Sequence, residues 1–489
     1  MPISDAYRPA PRHASLGPAF FDPVRPAAFP DSVIRFRNDR AAETVGLADL
    51  SDAEWIRHFG RFEPLPGNLP EPLALRYHGH QFRTYNPDLG DGRGFLFAQM
   101  REAGSDRLLD LSTKGSGQTP WSRTADGRLT LKGGVREVLA TEMLEAQGVR
   151  TSRSFSLIET GEALERQDEP SPTRSAVLTR LSHSHVRFGS FQRFAALNEP
   201  ENIRKLLDYS IETYFPAVAD EADPVAAFFD AVQAEIARLG GEWTAAGFVH
   251  GVLNTDNVVI TGESFDYGPW RWLPTFDPSF TAAYFDQTGL YAFGRQLDAL
   301  GWNLARLAEC LLPFTQVDRL QAALDRFFEE ATREVARATH RRLHLKVESD
   351  DAAIERGAMD KGAMARNTAL FGAMRATEPP YERVFFDLMG GARPDRLAAS
   401  PLAPLYRDED WAEALAGLRE AEPAETAEAA LESDYAQRAA PVTMLVDEVE
   451  AIWEPIAKRD DWTALEAKIA EIRAAAPWMS GRGPRHPDA

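Results

Sequence analysis

Two hard oxygen donors, Asn257 and Asp266, stand nine residues apart in a stretch that runs from His250 to Gly268. It reads His250-Gly251-Val252-Leu253-Asn254-Thr255-Asp256-Asn257 and closes on Asp266-Tyr267-Gly268. Amide and carboxylate oxygens of this kind suit Mg²⁺ or Mn²⁺ bridging the oxygens of a phosphate chain. The apolar patterning differs between the two parts of the chain. From about 71 to 190 short strand-type runs dominate: Gly94–Met100, Leu108–Ser112, Ser154–Glu159 and Ser175–Leu181. One helix interrupts them at Gly134–Gln147, with apolar residues at helical spacing and Gly148 as its stop. Beyond about 198 the apolar period is 3.6 residues over Asn202–Phe215, Pro224–Leu239, Leu290–Leu312 and Asp318–Ala336.

A sheet-rich part followed by a helical part is the order of a bilobal protein kinase. The motif agrees, because kinases space a catalytic Asp and a metal-binding Asn in H-R-D-x-x-x-x-N, then place a second metal-binding Asp in D-F-G. With Asn257 on that Asn, Val252 falls where the catalytic Asp belongs, and Asp256 is the new carboxylate beside the surviving ligand. The expected fold is α+β and kinase-like: residues 1–70 a lead-in arm, 71–195 a sheet-rich N lobe, 196–489 a larger helical C lobe with a C-terminal helical extension. The first 30 residues, rich in Pro and Ala, read as an extended arm that wraps a neighbour or stays mobile. Glu420–Asp434 reads as a solvated helix or linker, and Pro441–Ile472 as two amphipathic helices before a Gly/Pro/Arg tail.

Composition removes several classes of function. A formal charge of −20 argues against a nucleic-acid surface, which needs clustered Lys and Arg. One cysteine, Cys310, excludes an internal disulfide framework and a cysteine-based zinc site, and its apolar helical setting reads as a buried thiol. No apolar run approaches the roughly 18 residues of a spanning helix, so a soluble, cytoplasmic protein without a membrane partner is expected.

The remaining candidates surround that pair of ligands. Gly90-Asp91-Gly92-Arg93-Gly94 is a glycine turn whose N–H groups could approach phosphate oxygens, with Arg93 adding a planar charge. Lys114 follows a strand, and Glu137 lies 23 residues later on the expected helix, the arrangement with which kinases hold a phosphate-binding ammonium. Asp126-Gly127-Arg128 falls between them, where Asp126 could accept from a ribose or an amine. Arg180 and Arg187 would neutralise a triphosphate as forked donors. Asp256 reads as a proton acceptor, or as a group orienting Asn257. His78/His80 and His183/His185 read as hydrogen-bonding pairs within the structure, and His250 as a support for its loop.

Tyr77–Arg93, Lys114–Arg128, Val135-Arg136-Glu137, Gly247–Asn257, Phe265–Pro269, Phe276-Asp277-Pro278 and Trp302-Asn303-Leu304 together resemble the selenoprotein O family, in blocks running from about residue 75 to 305. The resemblance implies a protein adenylyltransferase on a pseudokinase fold, binding ATP in the opposite sense to a kinase and moving AMP to Ser, Thr or Tyr hydroxyls of proteins. It implies ATP contacts from Gly90, Gly92, Arg93, Lys114, Asp126, Gly127, Arg180 and Arg187, metal binding by Asn257 and Asp266, proton acceptance by Asp256, and Glu137 pairing Lys114. Three features depart from the family pattern: no C-terminal Cys-x-x-Cys or selenocysteine, Arg83 in place of a usual Gly, and Lys132-Gly133-Gly134 ahead of the helix. An atypical protein kinase, an inactive ATP-binding scaffold, and UTP as donor are the competing readings.

Overall fold

Two strands of the first part, Leu96–Arg101 and Leu108–Lys114, are buried along almost their whole length. The computed structural model describes residues 4–167, 169–347 and 361–483. Its centre is an 8-stranded sheet in which β1 (Phe21–Pro23), β3 (Leu73–Leu75), β6 (Leu96–Arg101), β7 (Leu108–Lys114), β10 (Thr173–Ser182), β9 (Arg153–Leu164) and β2 (Val33–Arg37) lie in that order, with β8 (Leu129–Thr130) paired to β10. Every pairing is antiparallel. One face is covered by α1 (Asp39–Thr44) and α2 (Asp52–Phe59), through Ala41, Trp55 and Phe59 against Leu109, Leu111, Phe155 and Val177. The other is covered by α3 (Leu131–Ala146), whose Val135, Val138 and Leu139 meet Leu157, Ala176 and Leu178. Strand alternation then sends Asp110, Ser112 and Lys114 to the α3 side, opposite Leu109 and Leu111.

Of the segment expected as an arm that wraps a neighbour or stays mobile, Phe21–Pro23 joins the sheet. Phe21–Pro23 pairs with Leu73–Leu75 as an edge strand, and Leu16 and Phe20 are buried in the main core. Helix α3 begins three residues before the expected Gly134, because the Thr130 hydroxyl accepts from the Gly133 N–H at 3.1 Å and caps it. Gly133 and Gly134 therefore lie inside the helix. A Cβ on Gly134 would stand 2.3 Å from Leu157 Cδ1, so this residue sets how closely α3 approaches the sheet.

The second part is helical: α4 (Phe188–Ala196), α5 (Pro200–Tyr214), α6 (Pro224–Ala246), α7 (Gln296–Leu311), α8 (Val317–Arg342), then further helices from Lys361 onward. Helix α7 starts later than the expected Leu290, because Tyr291 turns inward and its hydroxyl donates to Asn254 at 2.8 Å. The acidic stretch expected as a solvated helix or linker contains the short helix Ala427–Glu432, with Ala427 and Ala430 buried. The two amphipathic helices are Val446–Arg459 and Thr463–Met479. The second packs along α3, and Arg473 grips Glu142 there through two bonds of 2.7 Å. The tail beyond residue 483 lies outside the described residues. No helix among the described residues is long and apolar enough to cross a membrane.

Candidate active site

The stretch carrying Asn257 and Asp266 is held at both ends. Phe248–Val249 and Arg271–Trp272 pair as β11 and β12 and close the intervening segment into one loop. Between these anchors His250, fully buried, has Nε2 2.8 Å from the Phe265 carbonyl oxygen, tying the two motifs together. Burial depresses its basicity, so the ring serves as a neutral strut. The Asn257 amide donates to the Val252 carbonyl at 3.1 Å across the turn Thr255–Asn257, which leaves its side-chain oxygen available.

Lys114 ends β7 and its ammonium meets two carboxylates, Glu137 of α3 and Asp266, the latter at 2.8 Å. Arg180, which faces Ser112 across the β7–β10 ladder, donates to Asp266 at 3.2 Å. Arg187, buried at the start of α4, donates to the Asp256 main-chain oxygen at 3.1 Å and to Asp91 at 3.2 Å. Its guanidinium lies between the rings of Tyr77 and Phe265, at 4.2 and 4.8 Å. Lys114, Arg180, Arg187, Asp256 and Asp266 line one cleft together with Gly90, Gly92 and Arg93, around a cavity of ≈ 340 Å³. Glu137, 1% exposed, stands behind Lys114.

The glycine turn has a different structural cause from the one its sequence implies. A Cβ on Gly90 would stand 2.4 Å from the Trp121 ring, and one on Gly92 2.8 Å from the Trp121 carbonyl oxygen. The missing side chains let the 119–122 loop lie against the turn, and the Ser122 hydroxyl donates to the Gly92 carbonyl. Asp126 is exposed; it pairs with Arg166 at 2.8 Å and accepts from the Arg128 N–H at 3.0 Å. Gly127 packs its backbone on Gly117, from whose N–H its carbonyl accepts at 3.1 Å. Of this loop, Ala125 is the nearest residue lining the cleft. The sequence reading passed over Asp91, Tyr77 and Arg123. Asp91 sat inside the glycine motif, yet a carboxylate that accepts from the Leu75 N–H at 3.0 Å and holds Arg187 is defined only by contact.

Burial and cations set the charge states. Burial alone would raise the Asp266 carboxyl, but Lys114, Arg180, Arg187 and Arg93 together hold it well below the ordinary range. Burial pushes Asp256 up to about 6, against the pull of Arg187. Asp256 Oδ1 has no hydrogen-bond partner among the described residues, and neither do Arg180 Nε, Arg187 Nε and Glu137 Oε2. The cleft lining carries Arg93, Lys114, Arg123, Arg180 and Arg187 against Asp88, Asp91, Asp256 and Asp266, so an anion entering it would meet a cationic cluster. Asp266 lines the cleft and stays ionised, whereas Asn257 is not among the residues that line it. Among the described residues no cluster of three His, Cys, Asp or Glu offers an all-protein metal site.

The histidine pairs bond within the structure. His78 Nδ1 lies 2.7 Å from the Tyr85 hydroxyl, and His185 Nε2 lies 2.6 Å from Ser112 Oγ. Cys310 is buried, its thiol pushed up to about 12 by burial.

Comparison with known proteins adds to this geometry. The family described as protein adenylyltransferase SelO matches residues 5–473. A protein nucleotidyltransferase YdiU of Synechococcus elongatus is 42% identical over 95% of this chain and 94% of its own length. One from Gloeobacter violaceus is 43% identical over 95% and 94%, and one from Synechocystis is 55% identical over 61% and 62%.

Proposed function

The chain belongs to the SelO family and is a protein nucleotidyltransferase, and we propose that it transfers AMP from ATP to Ser, Thr or Tyr hydroxyls within a kinase-like, two-lobed fold. The observation that carries this reading is the convergence of Lys114, Arg180 and Asp266 across one cleft, with a buried, partner-free carboxylate oxygen on Asp256 beside them.

In this reading Arg93, Lys114, Arg180 and Arg187 hold the β- and γ-phosphates, with Gly90 and Gly92 lining the turn. Asp126 and Gly127 do not line the cleft, and Ala125 is the member of their loop that would lie nearest the nucleoside. The α-phosphorus then faces the acceptor. Asn257 and Asp266 would hold Mg²⁺ or Mn²⁺, which when bound supplies charge neutralisation for the phosphates. The acceptor oxygen attacks the α-phosphorus while Asp256 takes its proton. The bond between the α-phosphorus and the β-bridging oxygen breaks, and pyrophosphate leaves with its charge neutralised by the cationic cluster. A carboxyl raised to about 6 by burial is a better proton acceptor than an ordinary surface aspartate and is still ionised at neutral pH. Val252, where a kinase would hold its catalytic Asp, supports the reading against phosphoryl transfer. A reducing, ATP-rich cytoplasmic setting suits the lone unpaired Cys310.

Parallel incubations with α- and γ-labelled ATP and a mixed protein acceptor test it. AMP transfer puts α-label on protein. Entry of γ-label instead would mean a kinase, and thermal stabilisation by ATP with neither label incorporated would mean a scaffold.

A further inference from the structure

The strands Gly79–Gln81 and Thr84–Asn86 (β4 and β5) form a tight hairpin over the catalytic loop. Its backbone docks there directly: the His80 N–H donates to Thr255 Oγ1 at 2.7 Å and the Phe82 N–H to Asn254 Oδ1 at 3.0 Å, one and two residues before Asp256. Gln81 lines the cleft. The two turn residues, Phe82 and Arg83, have φ of +49° and +64°, a conformation that two-residue hairpins normally assign to Asn-Gly. Holding two bulky side chains there is unfavourable, so local stability does not account for their presence.

What the strained tip presents is an aromatic ledge. Phe82 is 37% exposed, Phe285 48% and Tyr284 85%, three of the seven large apolar side chains exposed among the described residues. They are contiguous, since Tyr284 meets Phe285 at 5.2 Å, Phe285 meets Phe82 at 5.9 Å, and Phe82 meets Tyr291 at 5.0 Å. Tyr291 in turn donates to Asn254, so the ledge is continuous with the loop carrying Asp256. Beside it Arg83 is exposed, 5.6 Å over the Trp302 ring, with no carboxylate partner among the described residues in a chain of charge −20.

We propose that this ledge is the acceptor-docking surface: Phe82, Tyr284 and Phe285 seat an apolar or aromatic residue of the incoming polypeptide, and Arg83 selects an acidic residue beside it, delivering the neighbouring hydroxyl to Asp256. This rests on the reading of Asp256 as the proton acceptor for a protein hydroxyl and specifies the substrate class of that same site. A contiguous exposed apolar surface is what a protein partner covers, and continuity with the catalytic loop identifies that partner as the acceptor.

The test uses the full chain, α-labelled ATP and synthetic peptides with a single Ser, Thr or Tyr flanked by Phe and Glu, by Phe and Lys, or by Ala alone. The Phe/Glu peptides are labelled with a kcat/KM about tenfold or more above the Ala peptides, mostly through KM. Phe82→Asn with Arg83→Gly installs the favoured turn, so the variant melts no lower than the parent while its preference for Phe/Glu peptides collapses. Arg83→Glu turns the charge preference toward the Phe/Lys peptides. Retention of the Phe/Glu preference in the Asn-Gly variant, or α-label incorporated without any flank preference, overturns the docking surface and leaves AMP transfer standing. Absence of α-label from every peptide and protein overturns AMP transfer itself, and the docking proposal with it.

Discussion

Replacing Glu137 by Gln separates what the buried ammonium of Lys114 does for the fold from what it does for transfer. In the free protein that ammonium, 6% exposed, has two carboxylate partners, Glu137 and Asp266. Gln still offers an oxygen, so the substitution turns one charge-assisted hydrogen bond into a neutral one, at a cost of about 1–2 kcal/mol. Spread over the unfolding entropy of a 489-residue chain, that loss lowers Tm by only about 1–2 °C. The loaded enzyme is more sensitive. With Asp266 engaged by the proposed cation, Glu137 would be the remaining carboxylate on Lys114, and losing it would free the ammonium to leave the phosphates. We expect kcat for α-label transfer to fall about 10- to 100-fold, equivalent to roughly 1.4–2.7 kcal/mol of barrier. Glu137→Ala, which leaves a void beside an ammonium still paired with Asp266, should lower Tm further than Glu137→Gln. The assay pairs a thermal melt with initial rates of labelling at saturating ATP. A Gln variant that melts more than about 5 °C lower, or that keeps full kcat, would refute the division of labour between the two carboxylates.

Asp256→Asn should retain ATP binding by calorimetry and lose transfer by about 10²–10⁴-fold, the worth of a positioned proton acceptor. Asp266→Ala should abolish metal-dependent transfer, and a retained rate would exclude this site. With Asp256 raised to about 6, transfer should fall as pH drops through about 6, and saturating cation should move that limb lower by favouring the carboxylate. Stability runs in the opposite direction: a carboxyl whose folded value stands above its unfolded one loses stability as pH rises from the ordinary carboxylate range through about 6, visible in pH-resolved denaturant titrations. Cys310, buried with its thiol pushed up to about 12, should resist a thiol reagent until denaturant is added, and transfer should be indifferent to reductant.

The sequence alone located most of the elements that hold the candidate site residues. Local pattern suffices where a residue's role depends on its neighbours along the chain: β7, β9, β10 and α3 each overlap the run that apolar periodicity marked, with β9 longer and α3 starting earlier, and His250, Asn257 and Asp266 lie in the one segment between β11 and β12. Tertiary structure decided whatever depends on contact between distant segments. Asp91 became a partner of Arg187 only when the two, 96 residues apart, met across the cleft. Asp256 acquired its raised affinity for a proton through burial first and then the nearby charge of Asp266. The C-terminal helices, which carry no chemical motif, gained a purpose when Arg473 reached Glu142 and braced the helix that holds Glu137. Periodicity reports which face of an element is apolar, but burial, desolvation and charge pairing depend on what lies against that face, and only the folded chain supplies it.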